Sequence, residues 1–284
     1  MGLLSGLEKF GFKSLDKVEV YEEEKNKKED QQKRKALSEL TEPEMLFDKT
    51  YVCPVCEHEF KTKMVKANKA KLLGVDIDLR PKHQNIDTLK YGAILCRKCG
   101  FAALTGYFNN PISDAQIRLI KENISSKYSS APDTDKDMYT YDEALEIHKM
   151  ALLNAVVKRG KASEKAYICL KAAWLVRGKA ELLLKENPEA KEEAAKLIAE
   201  EKEYLSEAHK GFLTAIETES SATICGMDSA TVSYLCAALS YELGEYEEAQ
   251  RAISRIYTML GVNRKTKEKC ITLKELIQEK LRKH

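Results

Sequence analysis

Two Cys-x-x-Cys pairs are the residues whose type and spacing best suit chemistry: Cys53 and Cys56 in "YVCPVCEHEF", and Cys96 and Cys99 in "ILCRKCGFAA". Two residues between cysteines let both sulfurs converge on one ion, while nearby backbone N–H groups turn toward the thiolates and disperse their charge. Two such knuckles complete a tetrahedral site of four thiolates, and Pro54 and Gly100 supply the turn chemistry of zinc ribbons. Zinc held by Cys53, Cys56, Cys96 and Cys99 is therefore expected. The intervening residues, 57 to 95, exceed the roughly 15–20 common in ribbons, so an elaborated insertion is expected as well. Four thiolates leave no open position for water or substrate, which makes the expected role structural. The alternative is a thioredoxin-like redox pair, but neither motif sits at a strand-to-helix junction of a βαβ pattern. His58 and His83 are competing nitrogen ligands that a full cysteine set does not need. Cys169, Cys225, Cys236 and Cys270 lie unpaired within helical patterns, where thiols pack as small apolar groups.

The insertion carries two further constellations. Lys61, Lys63, Lys66, Lys69 and Lys71 occur with no acid among them. Beside a zinc ribbon such a cluster suits phosphates of RNA or DNA, the alternative being a solvated lysine-rich surface with few aromatics for base stacking. In "DIDLRP", Asp76, Asp78 and Arg80 alternate with Ile77 and Leu79, so on a strand the polar groups would share one face. An ionic network is expected there, with ligand binding as the alternative.

These residues must be positioned by a mainly α chain. The 284 residues are 43% hydrophobic and 32% charged with net charge +2, an ordinary globular balance that excludes a whole-molecule electrostatic trap for nucleic acid or anionic lipid. The first residues hold no signal-length apolar run and miss the myristoylation pattern, and no window approaches a membrane span. A cytoplasmic protein without membrane association is expected, in which eight cysteines would not form a disulfide framework.

Three regions follow. Residues 1–48 form a charged arm, with "YEEEKNKKEDQQKRKAL" lacking a sustained apolar stripe. Residues 49–112 form the zinc-binding knuckle module of loops and short strands. Residues 113–284 form a helical domain. Ser113 is a candidate N-cap, and Thr140 with Glu143 a capping box, followed by an apolar stripe of Leu145, Met150, Leu153 and Val157. Asn187 and Pro188 end one long helix, and Pro188 suits the first turn of the next. The stretch from Ser229 to Gly261 looks like one tetratricopeptide unit: small Ala237 in its first helix, Leu243, Gly244 and Tyr246 around the turn, and Ala249 where the second helix packs closely. Ser233 and Ile256 depart from that pattern, and an irregular helical bundle is the alternative. The expected fold class is mainly α: a small zinc-ribbon-like β module followed by a helical-hairpin, tetratricopeptide-like array.

"LFDKTYVCPVCEHEF", "DIDLRP", "LKYGAILCRKCGFAAL" and the helices after them resemble an uncharacterised bacterial family, a domain of unknown function in which two zinc knuckles precede tetratricopeptide-like helices. The resemblance implies that Cys53, Cys56, Cys96 and Cys99 are metal ligands and that Asp76, Asp78, Arg80 and Pro81 belong to a recurrent stretch. It implies no activity. The chain itself shows no recognisable nucleophile, phosphate loop or open metal site. Two functions are expected in competition: a non-catalytic adaptor binding a protein or peptide in a groove of the helical array, with Ser233, Tyr234 and Tyr241 as groove candidates, or a nucleic-acid-associated protein using the five lysines.

Overall fold

The computed structural model describes residues 7–11, 39–129 and 136–283. Most of the charged arm expected over 1–48 lies outside the described residues. The chain divides into two compact units, Met1–Thr41 and Glu42–His284. In the first, Leu7–Phe10 form a short 3-10 helix.

The first part of the second unit is three antiparallel strand pairs. β1 (Leu46–Val52) pairs with β2 (Glu59–Val65), β3 (Leu72–Val75) with β4 (Pro81–His83), and β5 (Ala93–Leu95) with β6 (Ala102–Leu104). Each knuckle is the turn of a hairpin: Cys53 and Cys56 lie between β1 and β2, Cys96 and Cys99 between β5 and β6. The β3–β4 pair belongs to the insertion. Seven α-helices follow among the described residues: α1 (Asp114–Ile120), continued by a π turn Lys121–Ser125, α2 (Tyr141–Val157), α3 (Ala162–Glu186), α4 (Lys191–Thr218), α5 (Ser229–Glu242), α6 (Tyr246–Thr258) and α7 (Arg264–Lys283). The fold is mainly α, with its small strand pairs around the cysteines, as the patterning requires.

Local signals set several helix starts. Ser113 accepts from the Gln116 N–H and Thr140 from the Glu143 N–H, both as complete capping boxes. Pro188 falls in the turn before α4 rather than within its first turn, because α4 opens at Lys191. The α2 stripe also differs from expectation. Leu145 is buried, but Leu153 is exposed, and the buried face is Ala144, Ile147, His148, Ala151, Asn154 and Ala155. Small side chains win that face because α3 and the β5–β6 hairpin pack directly against it. Ala93, Ala102 and Leu104 share one apolar cluster with Ile147, Ala151, Ala155 and Ile168, so the core runs from strand pair to helices without a break.

In the α5–α6 hairpin, Ala237 and Ala249 are fully buried, and Gly244 turns the chain at φ +83°. A left-handed residue at that position costs least as glycine. Among the described residues no helix is long and apolar enough to cross a membrane.

Candidate metal centre

The two knuckles have the same backbone. Cys53 N–H donates to His58 O at 2.9 Å, and Cys96 N–H to Phe101 O at 2.8 Å. Glu57 N–H returns to Cys53 O, and Gly100 N–H to Cys96 O, each at 2.9 Å. The residue after each second cysteine is left-handed, Glu57 at φ +57° and Gly100 at φ +76°. At the second knuckle glycine is demanded twice, since a Cβ there would also lie 2.7 Å from the Tyr128 ring. These turns aim amides at sulfur: Val55 and Cys56 N–H at Cys53, Cys99 and Lys98 N–H at Cys96, Phe101 N–H at Cys99.

The four sulfurs then meet. Cys53 and Cys99 Sγ are 3.6 Å apart, Cys56 and Cys96 Sγ 3.7 Å, and all four lie within 4.8 Å of one another. A disulfide would bring a pair to about 2.05 Å, whereas four thiolates about 2.3 Å from one tetrahedral zinc stand about 3.8 Å apart. The donor set therefore fits a thiophilic ion, and all eight cysteines are free thiols. As thiols, Cys53, Cys96 and Cys99 oppose one another. Hydrogen bonds from Cys53 and Cys99 hold Cys96 low, at about 2, while the bond to Cys96 pushes Cys53 up to about 12 and the neighbouring sulfurs raise Cys99. Only a cation lets all four carry charge together.

Aromatic packing closes the site. Phe108 meets Tyr51 and Phe60 edge-on, with centroids at 5.5 and 6.0 Å, and Phe101 at 5.2 Å. Ile117, Ile120 and Ile124 pack against the same cluster, and Asn154 Nδ2 on α2 donates to Gly100 O at 2.9 Å. The competing histidines lie outside the sulfur set. His58 is exposed and stacked on Phe60, and His83 shares a 3.2 Å hydrogen bond with Thr88. Cys169, Cys236 and Cys270 are buried, while Cys225 is partly buried, holds φ +52° and donates to Ser163 O at 3.3 Å.

The "DIDLRP" stretch is a turn and not the expected strand. Leu79 takes φ +72°, Leu79 N–H donates to Asp76 O, and Asp76 N–H to Arg80 O, so residues 76–80 cap the β3–β4 hairpin. The turn brings Asp76, Asp78 and Arg80 together more closely than a strand face would, and it sets them against α3, whose Arg177 in turn reaches α4. Asp78, 0% exposed, lies 2.8 Å from Trp174 Nε1 and 2.8 Å from Arg177 Nη2. Arg177 Nε also reaches Glu201 at 2.7 Å. Arg80 pairs with Asp76 at 2.9 Å and with both Glu181 oxygens at 2.7 and 2.5 Å. Burial works against the Arg177 charge, yet Asp78 and Glu201 more than offset it and hold the guanidinium above its ordinary range. Burial raises Asp76 too, but Lys82, Arg80 and Arg177 outweigh it and keep the carboxyl low. Glu201 moves the other way, because burial outweighs Arg177. Sequence reasoning missed Trp174, Arg177, Glu181 and Glu201. The available signal was the chain's single tryptophan followed three residues later by an arginine within an otherwise apolar helix run.

Of the groove candidates Ser233, Tyr234 and Tyr241, the hairpin tip covers Tyr234, while Ser233 and Tyr241 stay partly exposed. Tyr234 is buried and donates to Ile77 O at 3.0 Å, while Tyr241 packs against Tyr246. Of the five lysines, Lys63 pairs with Asp48 at 3.0 Å and Lys66 donates to Glu44 O at 2.9 Å, leaving Lys61, Lys69 and Lys71 exposed.

A family model described as "Uncharacterized protein conserved in bacteria (DUF2225)" matches residues 46–281, which include the four sulfurs and the ion-paired turn at residues 76–80. No curated protein and no solved structure matches the chain.

Proposed function

The chain belongs to that bacterial family, and from this premise we propose that it is a zinc-stabilised, non-catalytic adaptor whose tetratricopeptide-like helices bind a protein or peptide. The observation that carries the reading is the closed set of four sulfurs at tetrahedral spacing, built into an apolar cluster shared with α1 and α2, where the helical array begins. Cys53, Cys56, Cys96 and Cys99 would hold the zinc, which would supply folding free energy and no open coordination position. With Tyr234 engaged by the chain's own hairpin, the partner surface moves to the cleft between α2, α3 and α4. That cleft of about 390 Å³ is lined by Leu152, Val156, Ala166, Cys169 and Gly211 and rimmed by Lys165, Lys210 and Glu207. Because Lys210 pairs with Glu207 at 2.8 Å, an apolar peptide with an acidic group set to meet Lys165 suits it.

Two measurements test this. Metal analysis of protein purified under reducing conditions, without chelator, should give one zinc per chain, and no stoichiometric metal would sink the zinc assignment. Val156→Glu, at an exposed position on α2, should abolish partner capture at unchanged thermal stability; undiminished capture would remove the cleft from the proposal. The second reading, nucleic acid at the lysines, rests on Lys61, Lys69 and Lys71 alone. It requires binding to oligonucleotides that weakens steeply between low and moderate salt.

A further inference from the structure

Edge strands that meet only water are normally blunted by charge, proline or brevity, because an open row of backbone groups recruits other strands. The described strands follow this rule with one exception. β1 carries Asp48 and Lys49, β2 carries Lys61 and Lys63, β4 begins with Pro81, and the three-residue β5 and β6 are mostly buried. β3 reads Leu72-Leu73-Gly74-Val75, without a charge or a proline, and every residue is exposed. Leu72 is 55%, Leu73 62% and Val75 45% exposed. Its one neighbour among the described residues is β4, so its outer edge is open. Leu73 is also the extra residue where the β3–β4 register shifts between Leu72 and Gly74, which leaves it unmatched by β4.

The strand is held ready for a partner. The hairpin tip is clamped by Asp76, Asp78 and Arg80, and the far end is closed by Gln84 N–H donating to Lys71 O at 2.9 Å. A fixed edge loses little conformational freedom on pairing.

We propose that this edge is a self-association surface: two copies pair β3 with β3 antiparallel about a two-fold axis, forming a four-stranded sheet in the order β4-β3-β3-β4. The sequence of the edge is complementary to itself in that arrangement. Centring the axis between Leu73 and Gly74 sets Leu72 against Val75 of the second copy and Leu73 against Gly74, where a side chain would meet nothing within 4 Å. The most exposed of the strand's apolar side chains thus faces the residue that has none. One step outward, exposed Lys71 falls opposite Asp76, whose carboxylate already holds Arg80 at 2.9 Å and Lys82 at 2.7 Å, so the ends of the pairing add little attraction and its apolar centre carries it. Isologous contacts of this kind close on themselves and do not propagate into fibres. The proposal stands apart from the adaptor reading, because it uses neither the cleft nor the metal.

A four-residue pairing is well below the ~1,200–2,000 Å² of stable complexes, so the dimer is weak and concentration-dependent. Sedimentation velocity on the full, metal-loaded chain from about one to several hundred micromolar spans that regime. The expected result is a reversible rise in mean mass toward twice that of one chain. Leu73→Lys sets two like charges beside the axis and should weaken association at least tenfold, with the circular dichroism unchanged because the site is exposed. Lys71→Glu should weaken it less, and high salt should narrow the difference from the parent chain. Amide exchange within residues 72–76 should slow as concentration rises. A monomer at every concentration overturns the proposal. So does a dimer that persists in Leu73→Lys, or one whose formation leaves exchange at 72–76 unchanged.

Discussion

Replacing Asp78 with alanine tests whether the hairpin tip is held by its buried ion pairs or merely rests on the helices. The carboxylate is fully buried, lies 2.8 Å from Arg177 Nη2, accepts from Trp174 Nε1 at 2.8 Å and receives the Arg80 N–H at 3.3 Å. Alanine leaves the Trp174 N–H without its acceptor, which alone costs about 1–3 kcal/mol. Arg177 keeps Glu201 at 2.7 Å and a longer contact with Asp76 at 3.5 Å, so its charge is only partly uncompensated. Breaking a buried pair from one side costs about 3–5 kcal/mol, and that figure already contains much of the lost hydrogen bond. The expectation is therefore about 3–4 kcal/mol, a large share of the 5–15 kcal/mol typical of a folded protein.

The assay is urea denaturation followed by far-ultraviolet circular dichroism near neutral pH, with Asp48→Ala as the control. Asp48 pairs with Lys63 at 3.0 Å at the surface, where such a pair contributes under about 1 kcal/mol. Asp78→Asn should fall between the two, because it keeps an acceptor for Trp174 and loses the charge facing Arg177. If Asp78→Ala costs no more than Asp48→Ala, the clamp does not hold the tip and the reasoning fails.

Further expectations follow from the same packing. Burial holds His148 at about 4, below its ordinary 6.5, with Nδ1 2.7 Å from Ala144 O. The unfolded chain then binds the proton first as pH falls, so stability is full above about 6.5 and declines by up to about 3 kcal/mol as pH drops to 4. His148→Leu should flatten that stretch of the stability–pH curve, and an unchanged slope would place the titration elsewhere. Residues 113–284 expressed alone should melt broadly, because Leu89, Ala93, Ala102 and Leu104 leave the clusters they share with α2 and α3. A sharp cooperative transition would show that the helices do not depend on the strand pairs.

What could be read in advance was what is local. A two-residue spacing between cysteines fixes where two sulfurs can go, and a Thr-x-x-Glu box marks a helix start, so both were legible without knowing the fold. The clamp was not, because Asp78 and Trp174 lie far apart in sequence and meet only once α3 has docked. Its turn was hidden as well, since Leu79 takes a left-handed conformation that glycine or asparagine normally signals. The α2 face misled for a third reason. Periodicity favours the larger residues, yet Ala144, Ala151 and Ala155 face the neighbours and Leu153 faces out, because close approach selects small volume over hydrophobicity.

The four clustered cysteines and the clamp hold the same loop at different points. The insertion leaves one knuckle and returns to the other, so an ion at the four cysteines would fix both its ends, while Asp78 and Arg80 fix its tip against α3. Each anchor shortens the free chain that the other must order, and loop-closure entropy makes their free energies interdependent. The coupling must be reciprocal: whatever the ion adds to the clamp, the clamp adds to ion affinity. A coupling of about 1.4 kcal/mol corresponds to a factor of ten in affinity. Asp78→Ala, which touches none of the four clustered sulfurs, should therefore hold an added zinc ion roughly tenfold more weakly than the parent chain in equilibrium competition with a chelator, and Asp48→Ala should not. Equal affinities for Asp78→Ala and the parent would mean that the knuckles hold their ion without help from the helices, and that the insertion is two independent attachments.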